Sequence, residues 1–298
     1  MTNTVSITEK AYAKVNLTLE ILGKRRDGYH NLASVMQTVD LFDTVVITES
    51  DDVLVTCDDD EITPEINLAT KAAQVLQQKT GVSQGASISI QKNIPVSAGM
   101  GGGSTDAAAA LRGLNKLWKL GLSLDELTEL AADVGSDVPF LIRGGTSLVQ
   151  GRGEDVTPIA PAKIPKFLIL TPEIDLTNHT AKTASVFSHV NESMFTRGNL
   201  THKLAARIRA GCDCPPEFFF NQFGTLAEQL FPGWSEQLDH LMSLGARDVM
   251  LCGAGPSMFT VPPSKELGTA WHLLLTTVQR KQAFLVDPIP AVLSEAGS

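Results

Sequence analysis

Alternating apolar and polar positions mark several stretches of the first half of the chain as half-buried β-strands. Residues 11–21 alternate in part and residues 86–91 alternate clearly, while 35–48 form a β-rich run with an expected break near Asp43. The shorter runs 147–150 and 167–170 also predict strands. Between the runs 11–21 and 35–48, the pair Asp27-Gly28 predicts a turn.

Helical spacing of apolar residues separates these strands. It predicts a helix over 67–79 that ends at Gly81, and an alanine-rich helix over 104–120 that ends before Gly121. Ser123 and Glu126 have the spacing of a capping box, which predicts a further helix from there to about residue 134.

The second half reads as helices followed by strands. Helices are predicted over about 178–190, 200–210, 217–230 and 234–244 and from Ser264, and strands over 248–252, 258–261 and 284–286. Three prolines within 158–165 favour a domain boundary near residue 160. The pattern therefore predicts an α+β protein with two domains, residues 1–160 and 161–298.

Composition narrows the classes of function. The chain has 298 residues, 43% of them hydrophobic, and its 33 acidic against 24 basic residues leave a net charge of −9. This balance argues against nucleic acid or an anionic membrane as partner. No apolar run approaches the roughly 18–20 residues of a membrane span, and the polar start predicts a cytoplasmic protein. No pattern in the chain indicates an oligomeric state.

The four cysteines change this picture little. Cys212 and Cys214 are separated by one residue, but no second close-spaced Cys/His pair completes a metal site. Reduced thiols without a metal or redox role are the favoured interpretation.

A glycine-rich loop is the main candidate for chemistry. Four of the five residues 99–103 are glycine, and a predicted helix follows at once. The first N–H groups of a helix have no internal partner and carry partial positive charge, so they bind phosphate, and glycines allow a close approach. The loop lacks the Gly-Lys-Ser/Thr ending of a P-loop and the spacing of a dinucleotide fingerprint. A plain flexible turn is the alternative, although a turn needs only one or two glycines.

The loop resembles the phosphate-binding loop of the GHMP kinases, with Met100 in place of a leucine and Thr105 in place of a second serine. Three further stretches match in family order: 13–19 with 26–30, then 135–140 with the glycines at 144 and 145, and 251–257. The resemblance implies a two-domain GHMP kinase fold with the active site in the cleft between the domains. It also implies ATP as the phosphoryl donor, together with Mg²⁺.

The first of these matches, 13–19 with 26–30, is similar to the sequence pattern of one branch of the family. That branch acts on a cytidine-diphosphate-linked sugar alcohol. For that branch the resemblance implies phosphorylation of the C2 hydroxyl of a methylerythritol unit, a step towards isoprenoid precursors. It implies that Lys14 and Asp137 are catalytic and that Tyr29 and His30 hold the cytosine. The ATP-binding residues implied by the loop are Pro95, Val96, Ser97, Ala98, Gly99, Met100, Gly101, Gly102, Gly103, Ser104 and Thr105.

The chemistry of these residues agrees with the implied roles. A carboxylate can accept the proton of an alcohol and an ammonium can stabilise developing charge, which suits Asp137 and Lys14. Tyr29 offers a face for a pyrimidine and His30 offers hydrogen bonds to its edge. Asn16 lies on the same strand face as Lys14 and is predicted to bind substrate or orient Lys14.

Each of these residues also has a simpler interpretation. Asp137 could end a helix or form a turn, Lys14 could face solvent from a strand, and Tyr29 with His30 could merely form a turn. In the second half, the segment from Asn221 to Gly224 lacks two acidic residues that the family often carries. Phe187 is a candidate second aromatic for the cytosine, but a phenylalanine in a helix core is the favoured interpretation.

No carboxylate pair suggests a magnesium cage, so the ion is expected mainly on the phosphates, with Ser104 or Thr105 as possible ligands. One alternative is a GHMP kinase for another small alcohol such as homoserine or mevalonate. The stretch 27–30 argues against it, because these substrates have no cytosine. A regulator without catalysis is the other alternative, and Lys14 with Asp137 argue against it.

Overall fold

The computed structural model describes residues 5–60, 62–174 and 183–291. Within them lie eleven strands: β1 Ser6–Lys24, β2 His30–Ser50, β3 Val53–Cys57, β4 Gly85–Gln91, β5 Thr146–Gly151, β6 Asp155–Pro158, β7 Phe167–Thr171, β8 Phe220–Asn221, β9 Met250–Leu251, β10 Met258–Thr260 and β11 Gln282–Val286. The α-helices of the same residues are α1 Leu68–Thr80, α2 Gly102–Leu117, α3 Leu124–Ala131, α4 Val138–Arg143, α5 Thr183–Ser188, α6 Asn199–Arg209, α7 Ala227–Leu230, α8 Trp234–Ser243 and α9 Lys265–Leu273.

A long antiparallel hairpin, β1 with β2, is the spine of the first sheet. The sheet order is β3-β4-β2-β1-β8, and β5 pairs with the first part of β2 while β4 pairs with the last part. β6 extends the sheet beyond β5. The predicted strands are therefore present, and the α+β class is confirmed.

The predicted break near Asp43 is wrong in its position. Asp43 lies inside β2 and is fully buried. The irregularity falls at 39–41, where the β1 register skips from Tyr12 opposite Phe42 to Lys14 opposite Thr38. At this point Val39 of β2 forms an isolated antiparallel bridge with Pro288 instead of pairing with β1. An aspartate looked like a break in the sequence because acids are rare in strands.

Helices α1 to α4 cover one face of the first sheet, with α2 packed against β1, β2, α1 and α4. Two predicted caps are confirmed: Gly81 ends α1 in the left-handed region, and Ser123 and Glu126 form the capping box of α3. Asn67, predicted as the first residue of the helix, is instead its N-cap. Helix α2 starts two residues earlier than predicted, inside the glycine loop, and ends at Leu117, so Gly121 does not cap it.

The second sheet is antiparallel in the order β11-β7-β10-β9. It packs against the first sheet through a shared core, in which Val15 and Leu17 of β1 join Ile169 of β7 and Phe259 of β10. One strand of the second half, β8, pairs in parallel with β1 of the first. The domain boundary near residue 160 falls between β6 and β7 and stays a prediction.

The second half holds most of the errors of sequence-based prediction. The predicted helix 217–230 is instead two short 3₁₀ turns, β8 and the single turn α7, because Phe220 and Asn221 pair with β1 as a strand. The strand predicted over 248–252 is only two residues long. Of the helix predicted over 178–190, residues 178–182 lie outside the described residues and α5 covers Thr183–Ser188. Strand β3 and helix α4 were not predicted.

Two glycines of the loop are required by its geometry. Gly99 and Gly101 have φ values of 84° and 74°, which L side chains rarely adopt. A Cβ on Gly99 would lie 1.9 Å from the backbone oxygen of Cys252 and 2.8 Å from Cα of Gly255. The loop therefore lies directly on the turn between β9 and β10, backbone against backbone, and joins the two sheets.

A buried charge cluster ties the start of α2 to the first sheet. The Lys92 ammonium lies 2.5 Å from Asp43 Oδ2 and 2.7 Å from Asp106 Oδ2. Two carboxylates share this one cation, and Asp106 Oδ1 has no hydrogen-bond partner. Burial outweighs the attraction of Lys92 and, together with Asp43, raises the pKa of Asp106 to about 7.

None of the helices in the described residues combines the length and the apolarity that crossing a bilayer requires.

The contact of Gly99 with the β9–β10 turn predicts a large steric effect. Gly99→Ala should lower the free energy of unfolding by about 2–4 kcal/mol, because it adds a backbone clash to the cost of positive φ. Gly121→Ala is the matched control, since Gly121 also has positive φ but nothing within 4 Å of its Cβ position. Urea unfolding of the three proteins measures the difference. Equal losses in both variants would show that the loop does not depend on this contact.

The raised pKa of Asp106 predicts a pH-dependent stability. Because the folded protein keeps a proton that the unfolded chain loses near pH 4, Asp106 makes stability fall as pH rises from about 4 to 7. Asp106→Asn removes this dependence and keeps an acceptor for Lys92. Its stability relative to the parent should therefore be higher at pH 8 than at pH 5, measured by denaturant unfolding. The exposed Asp239→Asn is the control for loss of one carboxylate. A difference independent of pH would contradict this assignment.

Candidate active site

Lys14 and Asp137, the pair predicted as catalytic, lie together although 123 positions separate them in the chain. Lys14 Nζ is 3.4 Å from Asp137 Oδ2. The lysine side chain is only 5% exposed and the aspartate 30%, so the carboxylate is the more accessible member of the pair. A buried lysine is rare unless it is paired, which excludes the interpretation of Lys14 as a solvent-facing residue.

Asn16 fixes the position of the Lys14 ammonium. Lys14 Nζ donates to Asn16 Oδ1 at 2.8 Å, and Asn16 Nδ2 donates to Ser34 Oγ at 2.8 Å. Ser34 in turn donates to the backbone oxygen of Thr18 at 2.6 Å. This chain holds the amide with its oxygen towards the lysine. An orienting role for Asn16 requires this contact, and the role itself stays a prediction.

Helix α4 presents the Asp137 carboxylate. Asp137 is the N-cap residue of this six-residue helix, but its side chain makes no capping hydrogen bond. Pro139 stands at the start of the helix, where a missing N–H costs nothing. The backbone of Asp137 therefore does lie at a helix end, as the simpler interpretation proposed. Its carboxylate makes no capping bond and is available for Lys14 and for a ligand.

The glycine loop reaches the same place. A Cβ on Gly101 would lie 3.2 Å from Cγ of Lys14, and the N–H of Lys14 donates to the oxygen of Met100 at 3.0 Å. The first helical hydrogen bond of α2 runs from Thr105 N to Gly101 O. The N–H groups between them belong to the helix start, and the aliphatic part of Lys14 packs on Gly101 at that start.

The residues of the loop differ in their exposure to solvent. Ala98, Met100 and Thr105 are buried, whereas Val96, Ser97 and Gly103 are exposed and Pro95, Gly99, Gly101, Gly102 and Ser104 are half-buried. The Thr105 hydroxyl donates to the oxygen of Tyr12 at 2.8 Å. Ser104 is therefore the hydroxyl on the accessible side, and Thr105 secures α2 to β1.

The turn between β9 and β10 closes the site from the second sheet. A Cβ on Gly253 would lie 2.7 Å from Lys14 Nζ. Asn221 Nδ2 donates to the oxygens of Leu251 and Gly253, both at 2.8 Å. The segment 221–224 lacks two acidic residues that the family often carries. Its Asn221 instead holds the β9–β10 turn, against which Lys14 packs. The adjacent Cys252 is fully buried, and burial raises the pKa of its thiol to about 12.

Tyr29 and His30 lie where β2 begins, after the Asp27-Gly28 turn. The imidazole of His30 is buried and stacks on Phe187, with ring centroids 5.4 Å apart and planes inclined by 28°. Burial and the nearby Lys24 lower the pKa of His30. Tyr29 is 51% exposed, and the guanidinium of Arg152 lies 5.2 Å from its ring centroid.

Phe187 is the aromatic residue on which the sequence was least decisive. It is half-buried on α5, lies on His30, and meets Phe223 edge to face at 5.0 Å. The pattern alone favoured a helix core and did not reveal the contact with His30. Arg152 was missed altogether, although an arginine between two glycines is a signal for a side chain held at the tip of a turn.

The thiols are free, Cys212 being exposed and Cys214 buried. Among the residues that the structure describes, no three His, Cys, Asp or Glu side chains converge to hold a metal ion.

Comparisons with known proteins agree with this geometry. The model of the GHMP kinases N terminal domain matches residues 67–145. A 4-diphosphocytidyl-2-C-methyl-D-erythritol kinase of Dehalococcoides mccartyi is 37% identical over 95% of this chain and 98% of its own length. A kinase of the same name from a Geobacillus species is 41% identical over 84% of this chain and 86% of its own.

Solved structures show the same fold. A crystal structure of 4-(cytidine 5'-diphospho)-2C-methyl-D-erythritol kinase has a TM-score of 0.75 at 26% identity and covers 94% of this chain and 98% of its own. Homoserine kinase from Cytophaga hutchinsonii has a TM-score of 0.74 at 17% identity, with 97% of both chains covered, which is a likeness of fold alone. From the identity over almost the full length of both chains, this chain belongs to the 4-diphosphocytidyl-2-C-methyl-D-erythritol kinase family, within the GHMP kinases.

Proposed function

We propose that the chain transfers the γ-phosphoryl group of ATP to the C2 hydroxyl of 4-diphosphocytidyl-2-C-methyl-D-erythritol, a step towards isoprenoid precursors. The observation that carries the proposal is the Lys14–Asp137 pair, 3.4 Å apart, at the mouth of the glycine loop. Family membership supports the choice of substrate, because relatives over 95% of the chain are named as this kinase.

The nucleotide is assigned to the loop of residues 95–105. The N–H groups at the start of α2 and the positive end of the helix dipole suit the phosphates of ATP. Gly101 leaves the Lys14 side chain room beside the loop, which supports a contact between the ammonium and the phosphates of ATP. Phosphoryl transfer depends mainly on such positioning and on charge stabilisation.

Asp137 is proposed as the proton acceptor. The substrate oxygen forms a bond to the γ-phosphorus while the bond from that phosphorus to the bridging β–γ oxygen breaks, and ADP leaves. The hydroxyl proton passes to the Asp137 carboxylate, which makes no capping bond and is partly exposed. Lys14, held by Asn16, supplies positive charge to the transferred group.

Tyr29, His30 and Phe187 are proposed to bind the cytosine. The exposed ring of Tyr29 offers a stacking face. A lowered pKa keeps the imidazole of His30 neutral at pH 7, with one donor and one acceptor for the edge of the base. Phe187 fixes the plane of that imidazole by stacking on it.

Mg²⁺ is proposed to enter bound to ATP, where it would offset part of the phosphate charge. The side chains fit an ion that takes most of its ligands from phosphates and water, since Ser104 is the accessible hydroxyl and the Thr105 hydroxyl is engaged with Tyr12. The free cysteines fit a reducing compartment, so we place the reaction in the cytoplasm. We also propose that residues 1–160 and 161–298 form the two domains.

A substrate panel tests the proposed reaction. ADP release should be at least about a hundredfold more efficient, as kcat/KM, with the cytidyl substrate than with homoserine or mevalonate, because only the first occupies the aromatic site. Preference for either small alcohol would assign another GHMP activity. Absence of turnover with all three would favour a regulator that binds nucleotide without catalysis.

Asp137→Asn tests the proton acceptor. Turnover should fall by about 10²–10⁴, the usual contribution of general acid–base catalysis, while calorimetry shows that ATP and the cytidyl substrate still bind. Asp133→Asn, an exposed aspartate four positions earlier in the chain, is the control for loss of a nearby carboxylate. If Asp137→Asn keeps near-parental turnover, the proton leaves by another route.

A further inference from the structure

The turn between β5 and β6 contacts both parts of the proposed site. It consists of Gly151, Arg152, Gly153 and Glu154, and the N–H of Arg152 donates to Glu154 Oε2 at 2.6 Å. Strand β5 pairs with β2, so that Gly151 lies opposite Leu32, close to the start of β2. The turn is therefore built into the sheet beside Tyr29 and His30.

Arg152 covers one face of Tyr29. The guanidinium carbon lies 5.2 Å from the centroid of the ring, within the range of a cation–π contact. The tyrosine is nevertheless 51% exposed, so the rest of the ring is open. A base that stacks on Tyr29 has the uncovered face available, and the guanidinium backs the ring from the other side.

The same turn supports the loop that carries Asp137. Arg152 Nη2 donates to the oxygen of Ala132 at 3.1 Å, just after the end of α3. A Cβ on Gly153 would lie 2.5 Å from the oxygen of Ser136, the residue before Asp137. Arg152 and Gly153 therefore contact the two ends of the segment 132–136, which directly precedes the proposed proton acceptor Asp137.

Charged groups hold the turn in place. Glu154 Oε1 is 3.9 Å from Arg25 Nη1, and Arg25 Nε is 3.0 Å from Asp27 Oδ2. Asp27 Oδ1 accepts from the N–H of Tyr29 at 3.1 Å. The side chain and the backbone of Tyr29 are therefore both connected to the β5–β6 turn, through Arg152 and through the chain of charges from Glu154.

We propose that Arg152 is a positioning residue: it sets the Tyr29 ring for the cytosine and joins that ring to the segment before Asp137. This inference rests on the proposed function and adds to it a residue that acts through Tyr29. The substrate class that it serves is a cytidine diphosphate bearing the alcohol to be phosphorylated. A lysine at this position could keep the bond to Ala132 but not the planar contact with the ring.

Arg152→Met keeps an unbranched apolar stem and removes both guanidinium contacts. The KM of the cytidyl substrate should rise about three- to tenfold, the range of a partly exposed cation–π contact, while the KM of ATP stays unchanged. Arg152→Lys should fall between Arg152→Met and the parent. Arg209→Met removes one exposed arginine at the end of α6 and is the matched control for charge.

A double-mutant cycle with Tyr29→Leu decides whether Arg152 acts through the ring. The affinity for cytidine 5'-diphosphate is measured by calorimetry for the parent, both single variants and the double variant. If Arg152 positions Tyr29, Arg152→Met has little further effect once the ring is removed. The same loss in both backgrounds would overturn the proposal, because Arg152 would then act on the ligand directly. An equal rise in the KM of ATP would also overturn it.

The parent protein separates this inference from the proposed function. Turnover of the cytidyl substrate by the parent tests the reaction, whereas binding of cytidine 5'-diphosphate in the cycle tests Arg152. Binding without turnover would reject the proposed reaction and leave the cycle decisive. Absence of cytidine 5'-diphosphate binding by the parent would overturn both.

Discussion

The contact between Gly99 and the β9–β10 turn is the constraint on which the rest of the site depends. At this point the glycine loop of the first sheet and the glycine turn of the second approach so closely that a Cβ on Gly255 would lie 2.1 Å from Gly99 N. Lys14 is placed by the same approach, since Gly101 and Gly253 leave the space that its side chain fills. One backbone contact therefore sets the loop, the lysine and the packing of the two sheets together.

The two buried lysines near the loop differ in what their partners leave available. Lys92 has two carboxylates, so its charge is more than balanced and it serves to fasten α2 to β2. Lys14 has one carboxylate at 3.4 Å and one neutral amide, which leaves its charge less fully neutralised. A buried charge of this kind gains most from an anionic ligand. The difference in partners explains why Lys14, rather than Lys92, is suited to contact an anionic ligand.

Local patterns predicted the elements whose ends are defined by side chains close in sequence. Asn67 and Gly81 bound α1, and Ser123 with Glu126 opens α3, because a cap involves residues only a few positions apart. The stretch 217–230 was misjudged because its apolar spacing suggests a helix although a pairing with β1, far away in the chain, makes Phe220–Asn221 a strand. Tertiary contacts of this kind leave no trace in a short window of sequence.

The candidate site shows the same division. The glycine loop was predicted from its own residues, but nothing in the spacing of Lys14 and Asp137 brings them together; that expectation came from the resemblance to a family. Arg152 was beyond both arguments, and the resemblance offered Phe187 only as a candidate, since their contacts with Tyr29 and His30 depend on how the β5–β6 turn and α5 pack. Strand β1 explains why the site is nevertheless well determined. It is buried on both faces from residue 13 to 21, with Val15 and Leu17 in the core shared with the second sheet. A slip of one residue would move Lys14 into that core, so the register that buries the apolar side chains also places the lysine at the loop.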